Sequence, residues 1–279
     1  MKLGYTVWTW MVKEKNLNYY PVDDTKFYFE QACREMKDLG YPCIENFDFI
    51  ANTYENDADE FNELMERYGL EFINLYNYFS RDQKADMEKT ERYCKWMNKV
   101  GAKQMSIQAL MWFDQPADRP TDYEAIGDYC RRSNEMGKLC AEYGIELLMH
   151  PHLNTVVLRD NEIEYFCNNT DPEYVNLCLD TGHMIPAGDD PVKLFDKYFD
   201  RLRYVHYKDA FPDVNHTCDW PLKLFRELGH GVVDFKGVHD LLVNRGYDGP
   251  VVVELDRPRV CNYDSAQVSR EYLRKVLGL

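Results

Sequence analysis

The segment LCLDTGHMIP, Leu177–Pro186, contains the feature from which the fold can be inferred. Its apolar first residues predict a buried β-strand. That strand ends abruptly at Asp180, and Thr181, Gly182 and His183 follow it. One carboxylate and one imidazole at the tip of a single strand could be an accident. The question is therefore whether other strands of this chain end in the same way.

Short apolar segments alternate with charged, amphipathic helical segments along the chain. The predicted strands are KLGYTVW, PCIENF, EFINLYNY, KQMSIQ, IELLMHPH, VNLCLDTGH, LRYVHYKD and PVVVELDR. Glycines stand where the intervening helices should end, at positions 40, 69, 101, 144 and 246. Apolar strands that alternate with helices pair in parallel. Eight such units in 279 residues match the size of a (β/α)8 TIM barrel.

The sequence therefore predicts an α/β protein in which residues 1–279 form a single (β/α)8 TIM barrel domain. A doubly wound sheet is the alternative. Such sheets usually have fewer strands, and no G-x-G-x-x-G pattern follows the first strand here.

Composition and charge limit the classes of partner. The chain is 45% hydrophobic and 14% aromatic, enough for a large core, and its formal net charge of −15 repels phosphate backbones. No stretch resembles a signal peptide or a membrane span. The nine cysteines occur singly, without C-x-x-C, which favours reduced thiols. We expect a cytoplasmic protein that binds neither nucleic acid nor membrane, and that could form a homo-oligomer.

Four consecutive predicted strands, the fifth to the eighth, end in a potential metal ligand. These are His150, Asp180, His206 and Glu254. In a TIM barrel the C-terminal strand ends converge on one mouth. Singly, a histidine could be a hydrogen-bonded core residue and a carboxylate a helix cap or salt-bridge partner. Together they would be costly to bury unless a metal pairs them, and the mixed N/O set suits Mn²⁺, Co²⁺, Fe²⁺ or Zn²⁺.

The remaining strand ends supply candidates for the rest of a site. Aromatic residues that could wall a pocket at this mouth are Trp8, Trp10, Tyr76, Trp112 and Phe113, although core packing is equally compatible with the last two. The segment 211–233 is too long for a simple strand-to-helix connection. It predicts either a lid over the mouth, anchored by Trp220, or an oligomer contact.

Several motifs carry a family resemblance. LDTGH, VHYKD, GHGVVDF and VVVELD resemble the xylose-isomerase-like TIM-barrel superfamily of sugar isomerases, epimerases and dehydratases. The blocks GIELLMHPHLNTVV, TDPEYVNLCLDTGH, RLRYVHYKDA and RGYDGPVVVELD are most similar to its myo-inosose dehydratase subgroup. The resemblance implies a divalent metal, Mn²⁺ first, with Co²⁺, Fe²⁺ or Zn²⁺ as alternatives.

The resemblance also implies the ligands. Three of the family's four ligands fall on Asp180, His206 and Glu254, and the first, usually a glutamate, falls on His150. The related epimerases use two glutamates as a paired acid and base, so His150 favours elimination over epimerisation. Whether His150 binds the metal or acts as a base beside it stays open. Apurinic endonucleases share the superfamily, but the charge of −15 argues against DNA binding.

The predicted reaction is α-proton abstraction from a keto-polyol or keto-sugar, of inosose type, followed by loss of water. His152 is the first candidate for the base because imidazole titrates near neutral pH, and Glu254 is the second. Lys208 would donate a proton to the leaving hydroxyl or steady the enolate, unless it forms a salt bridge with Asp209. The remaining candidate substrate contacts are His183, Arg257, Glu45, Trp8 and Gln108, with Arg257 and Glu45 alternatively paired to each other.

Three other functions remain open from the sequence. A metal-dependent sugar isomerase or epimerase, acting on a ketose or 3-keto-glycoside, would exchange the α-proton without losing water. A C-glycosidic lyase subunit would co-purify with a second chain. A non-catalytic sugar-binding barrel would bind metal but exchange no proton on any polyol ketone.

Overall fold

The computed structural model describes residues 1–13, 18–109, 119–212 and 224–279. Eight parallel strands close into a barrel, each paired with the next in the chain and the last paired with the first. We number them β1 to β8: Lys2–Thr6, Cys43–Phe47, Glu71–Tyr78, Gln104–Gln108, Glu146–His150, Val175–Asp180, Leu202–Tyr207 and Pro250–Val253. This closed barrel confirms the predicted fold. That residues 1–279 make up one domain stays a prediction.

Helices connect the strands and pack around the barrel. We number them α1 to α10: Val22–Leu39, Phe49–Thr53, Ala58–Tyr68, Gln83–Val100, Tyr123–Glu142, Asp160–Asn168, Thr181–Ala187, Pro191–Lys197, Phe235–Asn244 and Asn262–Tyr272. The five glycines predicted to end helices all have positive φ, as a left-handed helix terminus requires. The short helices α2 and α7 are additional to the one helix per unit that the sequence predicts.

Irregular and short elements complete the described chain. A 3₁₀ turn, Trp8–Met11, follows β1, a second, Phe199–Arg201, precedes β7, and a π-helical turn, Leu273–Leu277, follows α10. Two hairpins of two residues per strand lie outside the barrel, Val12–Lys13 with Asn18–Tyr19 and Asp209–Ala210 with Phe225–Arg226.

The alternation of side chains along β6 places the carboxylate of Asp180 inside the barrel. Leu177 and Leu179 pack in the main core together with the surrounding helices. Cys178, between them, belongs to a separate small cluster. Successive side chains of a strand point to opposite faces, so Cys178 faces the barrel interior. Asp180 therefore also faces inward, one layer nearer the C-terminal mouth.

An apolar cluster lies in the barrel interior below the mouth. It consists of Cys43, Ile73, Leu148, Cys178, Tyr204 and Val252. No helix in the described part of the chain has both the length and the apolar character that a membrane span needs.

Candidate functional site

The four predicted metal ligands come together at the C-terminal mouth of the barrel. One ligand atom from each of His150, Asp180, His206 and Glu254 lies within 4.8 Å of the others. All four residues are almost entirely buried, with at most 3% of their surface exposed. We call this group the ligand quartet. The convergence that the sequence predicted from four separate strand ends is thus present in the structure.

The quartet has the unpaired polar atoms that a cation would satisfy. Both ring nitrogens of His150, Oδ2 of Asp180 and Oε2 of Glu254 are buried and lack a hydrogen bond within the described chain. The ring nitrogens of His206 lie 2.8 Å from Glu254 Oε2 and from Glu45 Oε1, but without hydrogen-bond geometry. Unpaired buried groups are costly. Two imidazoles and two carboxylates therefore fit a first-row divalent cation.

Asp180 divides its two oxygens between the backbone and the quartet. Oδ1 accepts hydrogen bonds from the backbone N–H groups of Gly182, at 2.6 Å, and His183, at 2.9 Å, which starts α7. Oδ2 is left to face the other ligands. Burial raises the pKa of Asp180 to about 7. A cation would keep this carboxylate ionised at neutral pH.

The Thr-Gly pair after Asp180 attaches α7 to the seventh strand. Thr181 Oγ1 donates to the backbone oxygen of Lys208 at 2.8 Å and accepts from its N–H at 3.0 Å. A Cβ on Gly182 would lie 2.8 Å from Lys208 Cγ. The close approach of the two segments explains why a glycine follows the threonine.

Glu45 lies deep in the barrel, beneath the quartet, and both of its oxygens bind protein groups. Thr6 donates to Oε1 at 2.5 Å, while Asn74 and Tyr204 donate to Oε2 at 2.9 and 2.7 Å. Burial raises the pKa of Glu45, but His206, 2.8 Å away, holds it below its usual value. The structure thus brings Glu45 to a predicted metal ligand, and not to the open mouth where a substrate hydroxyl would lie.

Lys208 is fully buried and pairs with two carboxylates that directly follow the eighth strand. Its Nζ lies 3.1 Å from Glu254 Oε1 and 2.8 Å from Asp256 Oδ2. Although burial opposes it, Asp256 and Glu254 raise the pKa of Lys208. The alternative salt bridge with Asp209 is not formed. The sequence assigned no role to Asp256, although the E-L-D spacing places it on the same side of the strand as Glu254.

Asp209 instead holds the glycine-rich turn of the GHGVVDF motif. Its carboxylate accepts from the backbone N–H groups of Gly229, Gly231 and Val233, at 2.8 to 3.2 Å, and from that of Ala210 at 3.0 Å. A Cβ on Gly231 would overlap this carboxylate. The turn is therefore fixed against the seventh strand end by one buried side chain.

Two further histidines lie beside the quartet. The rings of His152 and His183 are 3.8 Å apart between centroids. His152 Nδ1 lies 2.5 Å from the Leu153 backbone oxygen, which assigns the ring proton to Nδ1 and leaves Nε2 with a lone pair. Burial and the charge of Lys208 lower the pKa of His152 to about 4. His183 accepts from the Leu153 N–H at Nδ1, 3.3 Å, and its Nε2 lies 3.3 Å from Lys208 Nζ.

The loop that carries His152 is held by a buried carboxylate of α6. Glu162 accepts from the Arg119 and Arg159 guanidinium groups, both at 2.6 Å, and from the Leu158 backbone N–H at 2.9 Å. Burial raises the pKa of Glu162, but Arg119 and Arg159 hold it below its usual value. Through Arg119, which lies between β4 and α5, the loop after β5 is therefore tied to the neighbouring connection of the barrel.

An aromatic wall rises on the β1–β3 side of the mouth. Trp8 stacks on Phe47 with ring centroids 5.0 Å apart, and Phe47 contacts Tyr76 at 4.9 Å. Tyr76 meets the His150 ring edge-on at 5.3 Å and donates its hydroxyl proton to Gln108 Oε1 at 3.1 Å. The mouth thus has an apolar side and an ionic side.

Other predicted pocket residues are not part of this wall. Trp10 packs in the main core, and its indole N–H donates to Glu35 Oε2 at 2.7 Å, because the 3₁₀ turn after β1 directs it towards α1. Trp112, Phe113 and the proposed lid anchor Trp220 lie outside the described residues.

Arg257 does not join the buried groups. It is exposed in the loop after β8. It forms no ion pair with Glu45, whose oxygens are both bound by neighbours from other strands. The predicted pairing of Arg257 with Glu45 is therefore wrong.

Comparison with known proteins relates most of the chain to one family. The family model described as Xylose isomerase-like TIM barrel matches residues 33–276. Inosose dehydratase of Bacillus velezensis is 32% identical over 207 residues, covering 67% of this chain and 68% of that protein. Inosose dehydratase of Geobacillus kaustophilus is 28% identical over 275 residues, covering 89% of this chain and 87% of that protein.

Solved structures share the fold at low sequence identity. The probable 3-DHS dehydratase AsbF of Bacillus anthracis superposes with a TM-score of 0.78 at 17% identity, covering 99% of this chain and all of that one. The IOLI protein with a binding zinc atom gives a TM-score of 0.76 at 17% identity, covering 100% and 98% of the two chains. The 3-keto-D-glucoside 4-epimerase YcjR of E. coli gives 0.73 at 17% identity, covering 98% and 99%.

Proposed function

Because the chain belongs to the xylose isomerase-like TIM barrel family, we propose that it is a metal-dependent dehydratase acting on a keto-polyol or keto-sugar. Two relatives that cover two thirds or more of the chain are named inosose dehydratase, which supports a cyclic polyol ketone as substrate. The observation that carries the proposal is the ligand quartet, whose four buried ligand atoms lie within 4.8 Å of one another.

The quartet would hold one divalent cation. Its two carboxylates favour Mn²⁺, with Co²⁺, Fe²⁺ or Zn²⁺ as alternatives. Bound there, the cation would act as a Lewis acid on the substrate ketone and stabilise negative charge that develops on its oxygen. The unpaired nitrogens of His150 support this residue as a direct ligand.

His152 is the proposed base. Its Nδ1–H donates to the Leu153 backbone oxygen, so the lone pair on Nε2 is free to take the α-proton of the substrate. The electron pair of the broken C–H bond moves towards the ketone oxygen. When this electron pair moves back from the oxygen, the C–O bond to the β-hydroxyl breaks. The pKa of His152, lowered to about 4, makes its imidazole a weaker base than usual but its imidazolium a stronger acid, so the imidazolium returns the proton readily to the departing hydroxyl as water leaves.

Lys208 is proposed to stabilise charge. Of its two predicted roles, proton donor or support for the enolate, the raised pKa favours the second, because the ammonium group keeps its proton. Glu254 and Asp256 fix the position of Nζ. A fixed positive charge in a buried site stabilises a developing anion more strongly than the same charge in water.

The remaining contacts would orient the ring. Trp8 and Tyr76 offer an apolar face to the C–H groups of a polyol, while Gln108 offers hydrogen bonds to its hydroxyls. His183 already contacts the Leu153 N–H and Lys208 Nζ, so it would bind a hydroxyl in exchange for one of these contacts. Elimination is favoured over epimerisation because His150 occupies the position that resembles the first glutamate of the epimerases. The epimerases have a glutamate on each face of the substrate. With His150 in place of the first, the quartet does not provide such a pair.

The test combines metal analysis with turnover. Purified protein loaded with Mn²⁺ is incubated with scyllo-inosose, and the absorbance of an unsaturated ketone is followed. We expect product from the wild type, and neither bound metal nor product from Asp180→Asn plus His206→Ala. Asp190→Asn is the matched control, because Asp190 caps α8 through the same kind of backbone contacts at an exposed site.

Two results would contradict the proposal. Negligible metal in the wild type, equal to that in the double variant, would remove the metal-dependent mechanism. Solvent deuterium entering the α-position without loss of water would replace the dehydratase with an isomerase or epimerase.

A further inference from the structure

A buried thiol lies directly beneath the ligand quartet. Cys178 precedes Asp180 by two residues on β6 and points into the barrel interior. One ligand atom from each of His150, Cys178 and His206 lies within 4.8 Å of the others. All three side chains have no exposed surface. Two imidazoles of the quartet and this thiol therefore form a second, overlapping group, in which the thiol lies one layer deeper than Asp180.

We propose that His150, Cys178 and His206 form a second metal position, which takes a soft cation such as Cd²⁺ or Cu⁺. Thiolate sulfur favours these ions over Mn²⁺, while carboxylate oxygen favours the reverse. The His150 side chain also supports a metal at this position. It is fully buried and has no hydrogen-bond partner at either ring nitrogen within the described chain.

The two positions exclude each other because they share the imidazoles of His150 and His206. A hard cation is drawn to the oxygens of Asp180 and Glu254, whereas a soft cation is drawn to the sulfur of Cys178. Binding at the sulfur releases the thiol proton to solvent. A soft cation would therefore remove Mn²⁺ from the quartet without touching the carboxylates that select it.

The experiment follows Cd²⁺ binding through the ultraviolet charge-transfer absorption of a sulfur–cadmium bond. All proteins carry Cys261→Ser, since that thiol is exposed. The test variants are Cys178→Ser and Cys178→Ala. Two replacements are used so that the protein folds with at least one of them at this buried position. Cys43→Ala is the matched control, because Cys43 belongs to the same interior layer but to neither metal group.

We expect the absorption in the wild type, in Cys43→Ala and in Asp180→Asn, and its loss in both Cys178 variants. Manganese binding, measured by electron paramagnetic resonance, should show the opposite dependence, lost in Asp180→Asn and kept in Cys178→Ala. Retention of the absorption in both Cys178 variants would overturn the proposal. So would an equal weakening of Cd²⁺ binding in Asp180→Asn and Cys178→Ala, which would mean a single shared position.

The outcome does not depend on the proposed reaction. The absorption needs no substrate, so a protein that dehydrates no ketone could still show it. Conversely, a dehydratase whose cadmium absorption survives the loss of Cys178 would keep its proposed function and lose only the second position.

Discussion

Gly182 makes room for Lys208 beside the candidate site. A Cβ at residue 182 would lie 2.8 Å from Lys208 Cγ and 2.9 Å from its backbone oxygen. We expect Gly182→Ala to shift the ammonium group away from Glu254 and Asp256. The variant should lose about 10- to 100-fold in kcat and about 1–3 kcal/mol of unfolding free energy, measured by steady-state kinetics and urea unfolding.

Gly127→Ala is the control for this change. Gly127 lies within α5, and a Cβ there would meet only the Tyr165 hydroxyl, at an ordinary 3.7 Å. It should leave kcat unchanged and stabilise the protein by up to about 1 kcal/mol, because alanine favours a helix. Comparable losses of kcat in both variants would contradict the steric explanation.

Glu45 acts through His206, so its charge should matter for metal affinity. Glu45→Gln keeps the size of the side chain but removes the negative charge 2.8 Å from His206 Nε2. Partners of this kind set the orientation and basicity of a ligating histidine. We expect Mn²⁺ affinity to fall about 10- to 100-fold in titration calorimetry.

Glu227→Gln provides the comparison. Glu227 is also buried, but it binds Ser265 and Arg259 away from the quartet. Its Mn²⁺ affinity should equal that of the wild type. If the two variants lost affinity alike, a general loosening of the fold, and not the contact with His206, would be the cause.

At the residue scale, the sequence predicted the quartet but not what surrounds it. His150, Asp180, His206 and Glu254 could be predicted to converge because a barrel brings C-terminal strand ends together. The inward position of Glu45 depends on its contacts with β1, β3 and β7, and Tyr204 is 159 residues away in the chain. No local pattern contains such contacts.

At the element scale, the loop after β5 depends on Glu162. The Arg119 and Arg159 guanidinium groups hold its folded-state pKa below the ordinary value of 4.5. Ionised Glu162 therefore stabilises the folded protein, and this stabilisation is complete above the pKa that Glu162 has in the unfolded chain. It is lost as pH falls through the folded pKa. We expect Glu162→Gln to cost about 3 kcal/mol at neutral pH, and the deficit to shrink in urea unfolding at about pH 4 and below.

Glu164→Gln, two residues further along α6, tests whether the effect is specific. Glu164 contacts Lys197 at 3.3 Å, but 55% of its side chain is exposed. Exposed ion pairs contribute about 1 kcal/mol or less, so the change should be small at either pH. A deficit for Glu162→Gln that stayed constant with pH would mean that packing, and not charge, explains it.

Helix starts and ends were predicted unequally well. The glycines that end α1, α3 and α4 could be predicted because the left-handed backbone conformation at a helix end favours glycine. The helix α7 was not predicted, since a segment of seven residues with an internal proline carries too little periodicity. It forms because Asp180, already identified as a ligand, also caps it.

At the scale of the whole molecule, a cation in the quartet would join four strands of the barrel. Any ligand that binds only the folded state stabilises it. With free Mn²⁺ at a hundred times its Kd, the gain is about 2.7 kcal/mol. For a chain of this size we expect Tm to rise by about 5 °C relative to protein treated with a chelator. Asp180→Asn should remove this difference, and a rise that persisted in the variant would place the stabilising cation elsewhere.

The barrel itself was predictable because its evidence is repeated eight times along the chain, so an error in one strand did not change the conclusion. The composition of its mouth was less predictable. Trp8 and Trp10 are only two residues apart, yet one joins the aromatic wall and the other packs against α1. A 3₁₀ turn separates their directions, and the sequence alone gave no sign of it.

The division of the mouth into an aromatic side and an ionic side determines which mutations can alter substrate specificity without loss of the chemistry. The aromatic residues at the ends of β1–β3 could be randomised in a library, with Glu45 left unchanged, while the chemistry supplied by β5–β8 stays constant. Acceptance of new ketones should then emerge from mutations in the first half of the chain. The second half would tolerate few of them.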